Sequence, residues 1–320
     1  MEYRTLGKTG IEVSRIGLGC YQMGGTHGGG GWPGMDDEES VRTIQHAETL
    51  GVNLLDTAEG YGAGHSERIV GRALFGRRSR YVVATKVAPP VEGDSEADAR
   101  TRVQTACAGS LQRLGTDYID IYQLHGVPPS ELMPAVAEEL TKLQQAGKIR
   151  CWGISTNDGD AMRKLLRRGD LAMAQVGLSI VNPTADDALG VSLEANLGTL
   201  IRVPLGQGAL TGKYFDTQQL DGEDRRHERF TNPRARAALA RLAELRFLTG
   251  RGRTMVQAAL RFVLDTPGVT AAIPGARDRA QLEQNAGAVD VPPLSAEERE
   301  RAMRIGAESG WPLPPYAKKA

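Results

Sequence analysis

Apolar residues along this chain recur at two periods that take turns. Val41, Ile44, Ala47 and Leu50 fall three and four residues apart, behind Asp36 and Asp37, and Gly51 follows. Ile69, Val70, Ala73 and Leu74 repeat that spacing from about Ser66 and stop at Gly76. Val103, Cys107, Ser110, Leu111 and Leu114 do so before Gly115, and Leu132, Val136, Leu140 and Leu143 before Gly147. Such spacing gathers one buried helix face. A glycine just past the last turn closes a helix in the left-handed conformation. After each glycine comes a short, nearly continuous apolar run: residues 52–55, 81–85, 119–124 and 149–154. Further runs at 172–176, 199–203 and 269–273 follow with helical segments between them, and residues 16–19 make an earlier one.

Strands apolar on both faces, each followed by a helix, mark a parallel sheet covered on both sides. About eight such units predict a TIM (β/α)8 barrel. A doubly wound sheet is the competing architecture, but the GxGxxG turn of a Rossmann fold is missing after the early strands. Residues 3–15 carry turn residues (Lys8, Thr9, Gly10) between two short extended pieces, which predicts a β-hairpin capping the barrel bottom. Nothing in residues 1–320 reads as a domain linker, so one barrel domain is expected. The charged stretch 217–232 is expected to be a long loop within it.

Composition narrows the functional classes. Lys+Arg and Asp+Glu both number 39, so no general field favours nucleic acid or an anionic membrane. The three cysteines, Cys20, Cys107 and Cys151, have neither CxxC spacing nor even number, which indicates no disulfide framework and no metal site. The N-terminus lacks the apolar core of a signal peptide and no run is long enough to span a bilayer, so a cytoplasmic setting is expected.

The chemistry sits where the strands end. Asp56 closes the run 52–55, Lys86 the run 81–85 and His125 the run 119–124; Ser155, Thr156 and Asn157 follow 149–154, and Gln175 lies in 172–176. In a barrel these ends meet at the C-terminal rim, where active sites of the fold are built. Tyr61, five residues past Asp56, lies in a loop that can lean over the mouth. A free tyrosine titrates near ~10. A neighbouring ammonium lowers that value by stabilising phenolate, and Lys86 can supply it. Asp56 can keep Lys86 charged, and His125 can donate to a substrate oxygen. Singly, each has a bland alternative: a loop aromatic, a structural ion pair, a satisfied core histidine. Together they predict acid–base chemistry on a carbonyl or alcohol. A Schiff-base aldolase using Lys86 is a second reading of the same residues.

The segments GVNLLDTAEGYGAGHSERIVGRAL, ATKV and DYIDIYQLHGV resemble the aldo-keto reductase family. The similarity runs from RTLGKTGIEVSRIGLG to IPGARDRAQLEQNAGAV, nearly the whole chain. It implies reversible hydride transfer between NAD(P)(H) and an aldehyde, ketone or alcohol, with Asp56, Tyr61, Lys86 and His125 as the catalytic tetrad. It also implies cofactor contacts at Cys20, Tyr21, Asp56, Ser155, Thr156, Gln175 and Arg202. Further contacts are implied along PLGQGALTGKY at Pro204, Leu205, Gly206, Gly208 and Lys213, and at Gly275, Arg277, Gln281 and Asn285. Arg277 can meet a 2′-phosphate, so NADP(H) is preferred over NAD(H); a solvated surface arginine is the alternative. Met23, Trp32, Tyr61 and His125 are implied on the substrate side, with a small carbonyl or alcohol as partner. Two departures stand out. Arg202 occupies a position where many members stack an aromatic on the nicotinamide, and Gly126-Val127 follow His125 where a Pro-Asp-like ending is common. A regulatory subunit that binds the cofactor without turnover is a further alternative.

Three features stay open on sequence alone. The glycine-rich stretch 24–34 lacks a Walker Lys-Ser/Thr ending, and its Trp32 either closes over substrate or covers surface. Arg225, Arg226 and Arg229, among Asp221, Glu223 and Asp224, form a solvated loop or a clasp over phosphates. The proline-rich tail 311–316 either lines the pocket or lies on the surface.

Overall fold

The computed structural model describes residues 1–29, 32–183, 185–215, 230, 232–250 and 252–311. Gly30 and Gly31 of the glycine-rich stretch, the arginine cluster at 225–229 and the tail beyond Trp311 lie outside them.

The chain opens with a hairpin, β1 (Tyr3–Thr5) antiparallel to β2 (Glu12–Ser14). Eight parallel strands follow in chain order: β3 (Leu18–Gly19), β4 (Leu54–Asp56), β5 (Val82–Val87), β6 (Ile119–Leu124), β7 (Ile149–Ser155), β8 (Leu171–Gly177), β9 (Gly198–Arg202) and β10 (Ala271–Ala272). Each pairs with its sequence neighbour. The two edges then meet through parallel bridges Ile16↔Ala272 and Gly19↔Gly275, which close the (β/α)8 barrel. Closure needs glycine at position 19, because a Cβ there would stand 2.9 Å from the Ile273 carbonyl oxygen.

The predicted helices are present as α1 (Asp37–Thr49), α2 (His65–Leu74), α3 (Glu96–Leu114) and α4 (Met133–Gln145). Asp36 caps α1 by accepting from Glu39 N, and Gly115 ends α3 at φ 62°, its N–H donating back to Leu111 and Gln112 carbonyls. The chain continues through α5 (Gly159–Leu166), α6 (Asp186–Glu194), α7 (Pro233–Leu242), α8 (Met255–Leu264), α9 (Arg279–Ala286) and α10 (Ala296–Glu308). Most strand boundaries shift by a residue or two from expectation, and two of the shifts bear on the site and the closure. Lys86 lies inside β5, because Lys86 and Val87 still pair with Gln123 and Leu124 of β6. The expected run 269–273 is regular only at Ala271 and Ala272, where it pairs with Leu200 and Ile201.

Two apolar layers result. Outward-facing strand residues pack against the helices, as Val83, Tyr122, Trp152 and Ile201 do. Inward-facing residues form a separate cluster that contains Leu54, Ala84, Ile121, Cys151, Met173 and Leu200 together with Leu6, Ile11 and Val13 of the hairpin segment. The hairpin therefore plugs the bottom of the barrel, as expected, and leaves the C-terminal end for chemistry.

Candidate active site

Side chains alternate in and out along a strand. Counting two residues on from each apolar member of the inner cluster gives the next inward position. Leu54 leads to Asp56, Ala84 to Lys86, Ile121 to Gln123, Met173 to Gln175 and Leu200 to Arg202. One step beyond Gln123 is His125. The barrel interior is thus apolar below and polar at the C-terminal rim.

Lys86 is fully buried, and its ammonium donates to Asp56 Oδ2 at 2.6 Å, the Thr57 carbonyl at 2.8 Å and Tyr61 Oη at 3.2 Å. Three donors meet three acceptors, so the ammonium is saturated. Asp56 Oδ1 accepts from Gln175 Nε2 at 2.7 Å and from Gln123 Nε2 at 3.4 Å. Gln175 Nε2 also reaches Gln123 Oε1 at 3.2 Å. The side chain expected to hold a carboxamide is therefore turned toward Asp56. Gln123 escaped the sequence reading, although the alternation Ile121–Gln123–His125 signals it.

Aromatic rings line up above this network. Tyr61 stands edge-on to His125 with centroids 5.6 Å apart and to Tyr21 at 4.9 Å, and Tyr21 stands edge-on to Trp32 at 6.2 Å. A cleft of about 990 Å³ opens here, lined by Asp56, Tyr61, His125, Tyr21 and Trp32. It extends past Gln175, Arg202, Pro204, Leu205, Gly208 and Lys213, and reaches Gly275, Arg277, Gln281 and Asn285. Trp32 thus lines the cleft wall.

Other expected residues stay out of the cleft. Cys20 and Met23 are buried and pack into the outer layer against the helices. Their segment turns outward, with the Cys20 carbonyl accepting from Ser66 Oγ on α2. Ser155 and Thr156 are buried too, and Thr156 Oγ1 accepts from Asp158 N at the start of α5. Gly206 is buried and its carbonyl accepts from the indole N–H of Trp311, so the first tail residue pins the loop after β9. Gln22 is an addition that no sequence signal announced, because a short 3-10 turn aims it. Its amide lies over Gly275, where a Cβ would come within 2.0 Å of it.

Electrostatics set the protonation states. Burial pushes the Tyr61 phenol up from its ordinary value, and this outweighs the Lys86 cation, which pulls it down. The expected net lowering by Lys86 is not what the site does: Tyr61 holds its proton at neutral pH. Burial works against the Lys86 charge, but Asp56 and Tyr61 together hold its pKa above the ordinary value. His125 is pushed down to about 4, first by loss of solvent around the ring and then by Lys86. His125 lines the cleft, and with its pKa this low a neutral imidazole with one N–H donor faces it at pH 7. An NMR titration should therefore place the His125 midpoint well below the ordinary ~6.5. In Lys86→Met the midpoint should rise, because a cation disappears while the Asp56 charge remains. An unchanged midpoint would remove Lys86 as a cause.

The aldo/keto reductase family model matches residues 15–306. The chain is 36% identical over 292 residues to aldo-keto reductase YhdN of Bacillus subtilis (strain 168), covering 88% of this chain and 87% of that one. The chain belongs to the aldo/keto reductase family. It is also 33% identical to an NADH-specific methylglyoxal reductase of Escherichia coli (strain K12), over 89% of this chain and 93% of that one. An aldo-keto reductase from Klebsiella pneumoniae, solved in complex with NADPH, superposes with a TM-score of 0.74 at 30% identity, covering 96% of each chain. This aldo-keto reductase is accordingly an oxidoreductase by family. No helix among its described residues is long and apolar enough to cross a membrane. Among those residues no cluster of His, Cys, Asp or Glu could hold a metal ion.

Proposed function

We propose that this aldo-keto reductase reversibly interconverts a small aldehyde or ketone with its alcohol using NADP(H), with Tyr61 as general acid and base. The hydrogen-bonded series Asp56–Lys86–Tyr61, open to the same cleft as His125, carries this reading. Tyr61 Oη passes its proton to the carbonyl oxygen as charge develops there. The Lys86 ammonium, 3.2 Å away, then stabilises the phenolate left behind. Asp56 is a positioning residue that keeps Lys86 charged and aimed. His125 donates its single N–H to the same substrate oxygen. Because burial raises the Tyr61 pKa, the site is an acid at neutral pH. Alcohol oxidation, which needs the phenolate, should speed up as pH rises.

The cleft suits a dinucleotide. Gln22 Oε1 is buried in its wall with no hydrogen-bond partner among the described residues, an acceptor left for a ligand's donor. Lys213 and Arg277 offer cations for phosphates, and Gly275 allows close backbone approach. When bound, the nicotinamide supplies or accepts the hydride. The relatives divide on cofactor: one is solved with NADPH and another is named NADH-specific. Arg277 supports NADP(H) here. Its backbone N–H donates to Gln281 Oε1 and its guanidinium to the Pro33 carbonyl, with no carboxylate partner among the described residues. Arg277→Ala should weaken NADPH about 10-fold and leave NADH nearly unchanged, as loss of a charge-assisted hydrogen bond does. Equal weakening of both would remove the 2′-phosphate contact.

Stopped-flow titration with NADPH and NADH, followed by a carbonyl panel read by cofactor absorbance, tests the whole proposal. Tight binding without turnover on any carbonyl would instead mark a regulatory subunit. The aldolase reading finds no support, since a Schiff-base lysine needs a free lone pair and Lys86 is protonated and saturated. Borohydride trapping on Lys86 without NADPH consumption would reverse that judgement.

A further inference from the structure

Several arginines with little exposure are ion-paired: Arg78 with Asp120, Arg113 with Glu67 and Arg253 with Glu298. Arg202 is not. It ends β9 on the inward side, two residues above Leu200, and lines the cleft with Tyr61 and His125. No carboxylate lies within ion-pair distance of it among the described residues; its hydrogen bond goes from Nη2 to Asn157 Oδ1 at 3.0 Å. A part-buried guanidinium without an anion is costly to hold.

The arrangement that holds it is specific. Asn157 Oδ1 also accepts from Gly177 N at 2.8 Å, and its Nδ2 donates to the Gly177 carbonyl at 2.8 Å. Asn157 is thereby locked to the end of β8 and fixes one edge of the guanidinium. The Arg202 guanidinium packs close to Gly177, where a Cβ would come within 2.9 Å of Nη1. The next residue, Val203, has φ 50°, a left-handed conformation unfavourable for a β-branched side chain. Such strain persists at sites that the surroundings over-determine. Burial lowers the Arg202 pKa, partly offset by Tyr61, and the Arg202 cation in turn helps to lower the His125 pKa.

Resting on the reductase reading above, we propose that Arg202 is a specificity-determining residue that receives a carboxylate on the substrate. The enzyme then prefers carbonyl compounds that are also acids, such as 2-oxo acids and aldehyde acids. A planar fork with one edge fixed presents its other N–H donors in the geometry that a carboxylate matches. The carbonyl takes up a hydride and a proton to become an alcohol, and the carboxylate is unchanged. Lys213 and Arg277, elsewhere along the cleft wall, remain for cofactor phosphates.

The test compares 4-oxobutanoate and 2-oxobutanoate with their methyl esters, and adds calorimetric titration of oxamate into the enzyme–NADPH complex. The wild type should show kcat/KM about 10- to 100-fold higher on at least one acid than on its ester. Arg202→Gln should bring that ratio to about one, the acid losing about 10- to 100-fold more than the ester, and abolish oxamate binding. Arg202→Lys, which keeps the charge without the fork, should fall between. NADPH affinity and the thermal midpoint of each variant report on cofactor binding and folding. Esters turned over as well as acids by the wild type, equal loss on acid and ester in Arg202→Gln, or preference for a phosphorylated aldehyde would each overturn the proposal. If neither acid nor ester, nor any carbonyl of the wider panel, consumed NADPH, the reductase reading would fail. Oxamate binding lost only in Arg202→Gln would then still uphold the anion site.

Discussion

Tyr61→Phe is expected to bind NADPH within about threefold of the wild type and to lose about a thousandfold in kcat, within the range of general acid–base catalysis. The substitution removes one oxygen and keeps the ring, whose edge contacts with Tyr21 and His125 do not involve the hydroxyl. Lys86 loses one acceptor of three and retains Asp56 and the Thr57 carbonyl. The fold and the cofactor cleft therefore survive while the proton donor is gone. Single-turnover oxidation of NADPH, alongside stopped-flow binding and a thermal melt, separates these effects. A kcat within tenfold of the wild type would remove Tyr61 as the acid.

Lys86→Met should damage both stability and chemistry. The ammonium is fully buried, and removing it leaves the Asp56 carboxylate with only the amides of Gln175 and Gln123. Breaking one partner of a buried pair costs about 3–5 kcal/mol, because the remaining charge is uncompensated. The thermal midpoint should fall by about 5–10 °C. Turnover should fall with it, since the phenolate of Tyr61 loses its stabilising cation. The double variant Asp56→Asn, Lys86→Met distinguishes the two losses. With no unpaired charge left it should recover most of the melting temperature, and none of the turnover. Recovery of turnover in the double variant would show that Lys86 matters only to the fold.

Much of this site was legible in the residues because a parallel barrel turns sequence into position. Strand-length apolar runs, several closed by a polar residue, mark both the fold and the rim, and period-2 alternation assigns the inward side chains. Asp56, Lys86, His125 and Tyr61 could therefore be named before any contact was seen, and they meet as expected. Closure of the barrel by β3 and β10, and the hairpin plug beneath it, follow from the same pattern.

What the pattern cannot carry is any outcome settled by competition between distant groups. Lysine beside tyrosine suggests a lowered phenol pKa, yet burial, which depends on everything packed around the ring, reverses the sign. Gln175, expected at a cofactor amide, lines the cleft and also donates to Asp56, more than a hundred residues away in the chain. Cys20 and Met23 sit beside cleft residues in sequence but turn into the helix layer, because the turn after β3, not strand alternation, sets their direction. Arg202 looked like a misplaced stacking residue. Only the fold shows that Asn157, itself locked to Gly177, holds the guanidinium, and that no carboxylate among the described residues lies within ion-pair distance of it. Periodicity is local and survives in the sequence; burial and charge pairing are sums over the whole fold, and exist only once it has formed.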